Sequence, residues 1–64
     1  MFGEAVRKIR EQRGISQEKL ADIMEMHRNT IALLERGERN PSLETIRKLA
    51  KALRVDPGKF FEKF

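Results

Sequence analysis

Only Glu25 and Met26 separate two predicted amphipathic helices, and this short link restricts the fold more than any other feature of the chain. The first stripe, Leu20, Ala21 and Met24, belongs to a helix predicted over Gln17 to Met24 with Ser16 as its N-cap. The second, Ile31 and Leu34, belongs to a helix that begins at His27 or Arg28, runs to Arg36 and is stopped by Gly37. So short a link forces a sharp crossing, which requires a small residue where the helices touch, and Ala21 meets that need. The outer face of the later helix is then Asn29, Ala32, Leu33 and Arg36. At about 100° per residue, Leu33 lies nearly opposite the Ile31/Leu34 stripe and is not expected to reach the core. It is either surplus or meets something outside the chain.

The rest of the chain is punctuated in the same manner. A first helix is predicted over roughly Phe2 to Arg13, with Phe2, Val6 and Ile9 on one face and Gly14 as its stop. In the stretch "GERNPS", Pro41 pushes Asn40 out of the helical region and Ser42 caps the next helix. That fourth helix is expected over Leu43 to Leu53, with Leu43, Ile46, Leu49, Ala50 and Leu53 inward. A fifth begins at "DPGKFFEKF", with Asp56 as cap and Pro57 at its first position. β-branched residues are scattered rather than alternating, so no strand is expected. The predicted architecture is all-α: a compact bundle of five short helices in one domain spanning residues 1–64.

Composition narrows the function. There is no cysteine and only one histidine, so neither a thiolate nor a histidine metal site is expected. No nucleophile–base pair, paired inward carboxylates or phosphate-cradling glycine loop is visible. An enzyme, a cofactor and a small-molecule ligand are therefore not expected. No apolar run approaches a membrane span, and the N-terminus lacks the apolar core of a signal peptide, which leaves the cytoplasm as the expected location. Fourteen Lys and Arg stand against ten Asp and Glu, a net charge of +4 that suits a polyanionic partner. Much of the excess lies after Pro41, and Arg47, Lys51 and Arg54 share one helical face that also reads as ordinary solvated surface. A sharply crossed helix pair presents its second helix to the DNA major groove, and helix N-termini near Gln17, Arg28 and Leu43 offer N–H groups to phosphate oxygens.

The pieces "SQEKLA" and "TIALLERGERNPSLETIRKLAKAL", followed by a closing apolar helix, resemble the helix-turn-helix family of phage repressors, Cro proteins and small bacterial regulators. The likeness runs from Phe2 to Phe61, and the subclass it most resembles is the short, stand-alone regulators, such as controller proteins of restriction–modification systems. The resemblance implies a lambda-repressor-like fold and a regulator that binds operator DNA. It matches Gln17 to a residue that touches phosphate and buttresses a base-reading side chain. His27 to Asn29, with Ala32 and Leu33, match the start and outer face of the recognition helix. Arg36, Arg39, Asn40 and Ser42 match the loop and cap that meet the DNA backbone. Arg10 and Glu35 match a buried salt bridge, although a helix carboxylate such as Glu35 is also at home in solvent. Three positions depart from the family pattern: Glu25 and Arg54 replace usual glycines, and His27 replaces a capping serine or threonine.

Arg28 suits guanine and Asn29 adenine, although either also grips phosphate; His27 is grouped with the phosphate contacts. Leu33 suits a thymine methyl group or is a tolerated surface leucine, and outward-facing Ile23 reads as surface. One short domain makes few base contacts, so a homodimer on a palindromic operator is expected, with Phe60, Phe61 and Phe64 near the seam. Phe64 is otherwise a frayed terminal residue. The competing function is a protein–protein adaptor or antitoxin-like module, with Ile23 and Leu33 as partner contacts.

Overall fold

A computed structural model describes residues 1–62. Four α-helices, α1 (Phe2–Gln12), α2 (Gln17–Met24), α3 (Arg28–Glu35) and α4 (Leu43–Leu53), are followed by a 3-10 turn at Pro57–Phe61. No strand occurs among the described residues. The expected fifth helix is thus a single tight turn. The Asp56 carboxylate accepts from Gly58 N–H at 2.8 Å, and the Lys59 N–H reaches back three residues to the Asp56 carbonyl at 2.9 Å. That i to i+3 pattern is the 3-10 geometry.

Local chemistry sets the helix ends. Ser16 and Ser42 accept from the N–H groups of Lys19 and Thr45, at 3.0 and 3.1 Å, and cap α2 and α4. All four α-helices finish in one motif, a left-handed residue followed by a backbone bond back to the last turn. The left-handed residues are Gly14, Glu25, Gly37 and Arg54. The following N–H groups, of Ile15, Met26, Glu38 and Val55, reach the carbonyls of Arg10, Ala21, Leu33 and Ala50 at 2.9–3.1 Å. Glu25 and Arg54, with φ of 56° and 58°, hold a conformation that favours glycine.

α3 packs on both α1 and α2, whereas α4 packs on α2, α1 and the closing turn. One core cluster joins Val6 and Ile9 of α1, Leu20, Ala21 and Met24 of α2, Ile31 of α3, Leu49, Ala50 and Leu53 of α4, and Phe60. Phe2 meets Phe60 edge to face at 5.5 Å. Leu43 corrects the reading of α4: it is 67% exposed. It shares the apolar stripe by angle but occupies the first helical turn, short of the turns that pack on α2. Leu33 is half-buried and outside the core cluster, because α3 is flanked on two sides and its shoulders are partly covered.

A polar network runs through the bundle. Arg10 donates from Nε to Glu35 Oε2 at 2.6 Å and from Nη2 to Oε1 at 3.0 Å, a bidentate pair between α1 and α3. Its Nη1 donates to the Ile15 carbonyl at 2.8 Å. Gln17 Nε2 donates to Glu35 Oε1 at 3.0 Å, so the first residue of α2 is tied to the last of α3. Arg10 and Glu35 are both buried. The hydrogen bonds to Glu35 hold the Arg10 guanidinium above its ordinary pKa, against the opposing effect of burial. Arg13 ties α1 to the end of α4, donating from Nε to the Leu53 carbonyl at 2.9 Å and from Nη2 to the Arg54 carbonyl at 3.2 Å. At the other end of α1, Gly3 lies so close to α3 that an added Cβ would stand 2.6 Å from the Glu35 carbonyl oxygen and overlap that of Leu34.

This packing makes two sets of variants informative. Glu35→Ala strands the buried guanidinium and should cost about 3–5 kcal/mol, whereas Arg10→Met with Glu35→Met should cost clearly less than the two single changes summed. Thermal unfolding of the set measures this, and an unchanged melting temperature for Glu35→Ala would show that the pair does not stabilise the fold. The glycine and non-glycine sites should respond in opposite directions. Gly3→Ala should destabilise by about 1–3 kcal/mol through overpacking. Glu25→Gly and Arg54→Gly should each stabilise by about 0.5–1 kcal/mol, the relief of strain less the added freedom of the unfolded chain. Urea midpoints check both directions.

Candidate nucleic-acid interface

The face of α3 turned away from the core begins at an open helix end. His27 occupies the N-cap in an extended conformation and its side chain makes no capping bond, in contrast to Ser16 and Ser42. The first backbone bonds into the His27 carbonyl come from Thr30 and Ile31, so among the described residues the N–H groups of Arg28 and Asn29 have no backbone partner. These N–H groups carry the positive end of the helix dipole and are suited to an oxygen anion. His27, Arg28 and Asn29 are all exposed. Ala32 and Leu33 lie one turn further along and are half-buried, forming a shallow apolar shelf beside Asn29.

The loop after α3 adds further polar and basic residues. Arg36, Arg39, Asn40 and Ser42 are exposed. Arg36 is engaged: its Nε donates to Glu38 Oε2 at 2.8 Å. The hydrogen bond lowers the Glu38 pKa and raises that of Arg36. Both side chains are more than half exposed, so the pair is screened and easily opened. Ser42 Oγ lies 2.9 Å from Thr45 Oγ1 as well as capping α4. Gln17 is half-buried, and its bond to Glu35 uses one amide N–H and leaves the second free to donate.

The structure separates the three phenylalanines expected at a seam. Phe60 is 1% exposed and belongs to the core, so it offers no surface to a partner; the edge contact with Phe2 and the tight 3-10 turn aim it inward. Phe61 is 64% exposed, with its ring 5.8 Å from that of Phe2. Phe64 lies outside the described residues. Three features are missed by reading the sequence. Arg13 caps α4 from 40 positions away, and nothing local to it signals that role. Gly3 is required by a helix that is distant in the chain. Glu38 has a local signal, an acid two residues from Arg36 in a loop that otherwise reads as basic. No described helix is long and apolar enough to cross a membrane.

Comparison with known proteins agrees with this geometry. The helix-turn-helix family profile matches residues 6–60. Control protein C.BamHI of Bacillus amyloliquefaciens is 50% identical over 58 residues, spanning 89% of this chain and 72% of that protein. The cryptic phage CTXphi transcriptional repressor RstR of Vibrio cholerae is 39% identical over 51 residues, 80% of this chain and 46% of that one. The crystal structure of the restriction–modification controller protein C.AhdI from Aeromonas hydrophila superposes with a TM-score of 0.90 at 43% identity, covering 94% of this chain and 91% of that one. With its α2–α3 pair, its matched profile and these relatives, the chain belongs to the helix-turn-helix family of transcriptional regulators.

Proposed function

We propose that residues 1–64 act as one DNA-binding unit, a cytoplasmic regulator of the controller type that binds a palindromic operator as a homodimer, with α3 in the major groove. The observation that carries the reading is the open N-terminal end of α3. Among the described residues Arg28 and Asn29 have no side-chain partner there, beside the apolar shelf of Ala32 and Leu33, on a helix pinned from behind by Arg10 and Gln17. Arg28 and Asn29 read base edges, and Leu33 packs against a thymine methyl group. Gln17, His27, Arg36, Arg39, Asn40 and Ser42 meet phosphates on either side and set the register. The names of the relatives, control proteins and a transcriptional repressor, support the same reading.

The proposed dimer rests on the exposed Phe61, whose ring lies 5.8 Å from that of the partly buried Phe2. A two-fold arrangement would place half-sites about 34–36 Å apart. Phe61→Asp should yield monomers by light scattering with the helical signal retained, and should weaken binding to a two-half-site duplex far more than to a single half-site. Wild-type protein that is monomeric at high micromolar concentration would end the dimer proposal.

Selection of bound fragments from random duplex DNA identifies the operator and tests the reading directly. On that operator, affinity should fall with salt at a slope of about −0.9 per phosphate contacted, whereas an adaptor's affinity for a protein partner would respond far less. Leu33→Ala and replacement of one thymine by uracil per half-site should each cost about 1–2 kcal/mol, on the scale of a few buried methylenes. Their combined loss should be less than the sum, since both remove one contact. Arg39→Ala should weaken all sequences alike and reduce the salt slope by about one. If Leu33→Ala behaves as Arg39→Ala does, or changes nothing, Leu33 does not read the operator.

A further inference from the structure

A cleft of about 440 Å³ opens between the C-terminal halves of α2 and α4. Its apolar lining comes from Ile23, Met24 and Ala52, and its cationic rim from Lys48, Lys51 and Arg54. Ile23 is 47% exposed, one of few large apolar side chains left open to solvent. Among the described residues, the side chains of Lys48, Lys51 and Arg54 make no ion pair, although the protein pairs Arg10, Arg36 and Lys59 with carboxylates elsewhere. Glu25 is the one acid on the cleft's lining. Glu25 and Arg54, the two non-glycine residues with left-handed backbone among the described residues, both line this cleft.

Each feature taken alone has an ordinary explanation. Lys51 and Arg54 lie at the end of α4, where cations suit the helix dipole. Isolated exposed isoleucines are common. The combination is less ordinary: an apolar floor within a concave surface of ligand-binding size, edged by three unpaired cations against one acid. Phosphate contacts would use the cations and leave the apolar floor idle. We propose that this cleft is a docking site for a segment of a second protein that carries acidic residues around one or two apolar anchors. The anchors cover Ile23 and Ala52, and the carboxylates meet Lys48, Lys51 and Arg54, whose aliphatic stems extend the apolar floor. The site is distinct from the face assigned to DNA and does not rest on that assignment.

A fluorescein-labelled dodecapeptide with leucines at helical spacing among Glu and Asp residues probes the site by anisotropy, with the full chain and no DNA present. Saturable binding is expected. It should weaken about ten-fold or more in Ile23→Ser and in Lys48→Glu with Lys51→Glu, and be unchanged in Arg39→Ala, with circular dichroism confirming that each variant is folded. A peptide with serine in place of leucine should also bind about ten-fold more weakly. Failure to saturate by millimolar protein, or equal binding of the serine peptide, overturns the proposal. Two further outcomes reassign the cleft and overturn it as well. If random-sequence duplex binds through Lys48 and Lys51 and displaces the peptide, those lysines are phosphate contacts. If the protein self-associates through Ile23, as shown by dispersal of the oligomer in Ile23→Ser, the occupant is a second copy of the chain.

Discussion

The Glu35 carboxylate is the point on which the arrangement of the helices depends. It accepts two bonds from Arg10 of α1 and one from Gln17 at the start of α2, while standing at the end of α3. One side chain thereby relates three helices. An apolar contact in its place would supply burial without direction, since packing tolerates sliding and a bidentate fork does not. α3 has only eight residues and two buried aliphatic anchors, Ile31 and Leu34, so burial alone defines its rotation weakly. The carboxylate adds the directional restraint, and the exposed end carrying Arg28 and Asn29 inherits its position.

Economy of chain length explains the helix ends. Helices of eight to eleven residues leave a large share of their carbonyls without internal partners, and four repeats of one C-terminal motif satisfy them with backbone bonds. The motif also turns the chain out of each helix just past its last residue. Glycine would serve at each of these turns, and it does at Gly14 and Gly37. Glu25 and Arg54 accept backbone strain at the other two, where both side chains line the same cleft. The positions at which local preference is overridden therefore coincide with a surface feature.

Much of the fold is legible in the residues themselves. Ser16 and Ser42 mark the starts of α2 and α4 correctly, and the stripes Leu20/Ala21/Met24 and Ile31/Leu34 identify the buried faces. Periodicity reports angle but not depth, which is why Leu43 reads as inward and Leu33 as fully outward. It is equally silent on long-range needs. Gly3 looks like a poor helix former until α3 is laid against it, and Arg13 looks like a surface cation until α4 ends beside it. Among the aromatics, Phe60 and Phe61 are neighbours of identical chemistry, and only the 3-10 turn decides that one closes the core and the other faces solvent. The pairing of Arg10 with Glu35 is suggested by family likeness rather than by spacing, because 25 residues separate them.

The ion pair between Arg36 and Glu38 gives the loop an anion of its own. If phosphate takes the place of that carboxylate, the event is an exchange of one anion for another and not a capture by a bare cation. The freed carboxylate stays beside the phosphate and offsets part of the attraction that Arg36 supplies. The internal anion also lessens the loop's pull on nucleic acid of any sequence, so a short chain with net charge +4 keeps its affinity for sites where the remaining contacts fit.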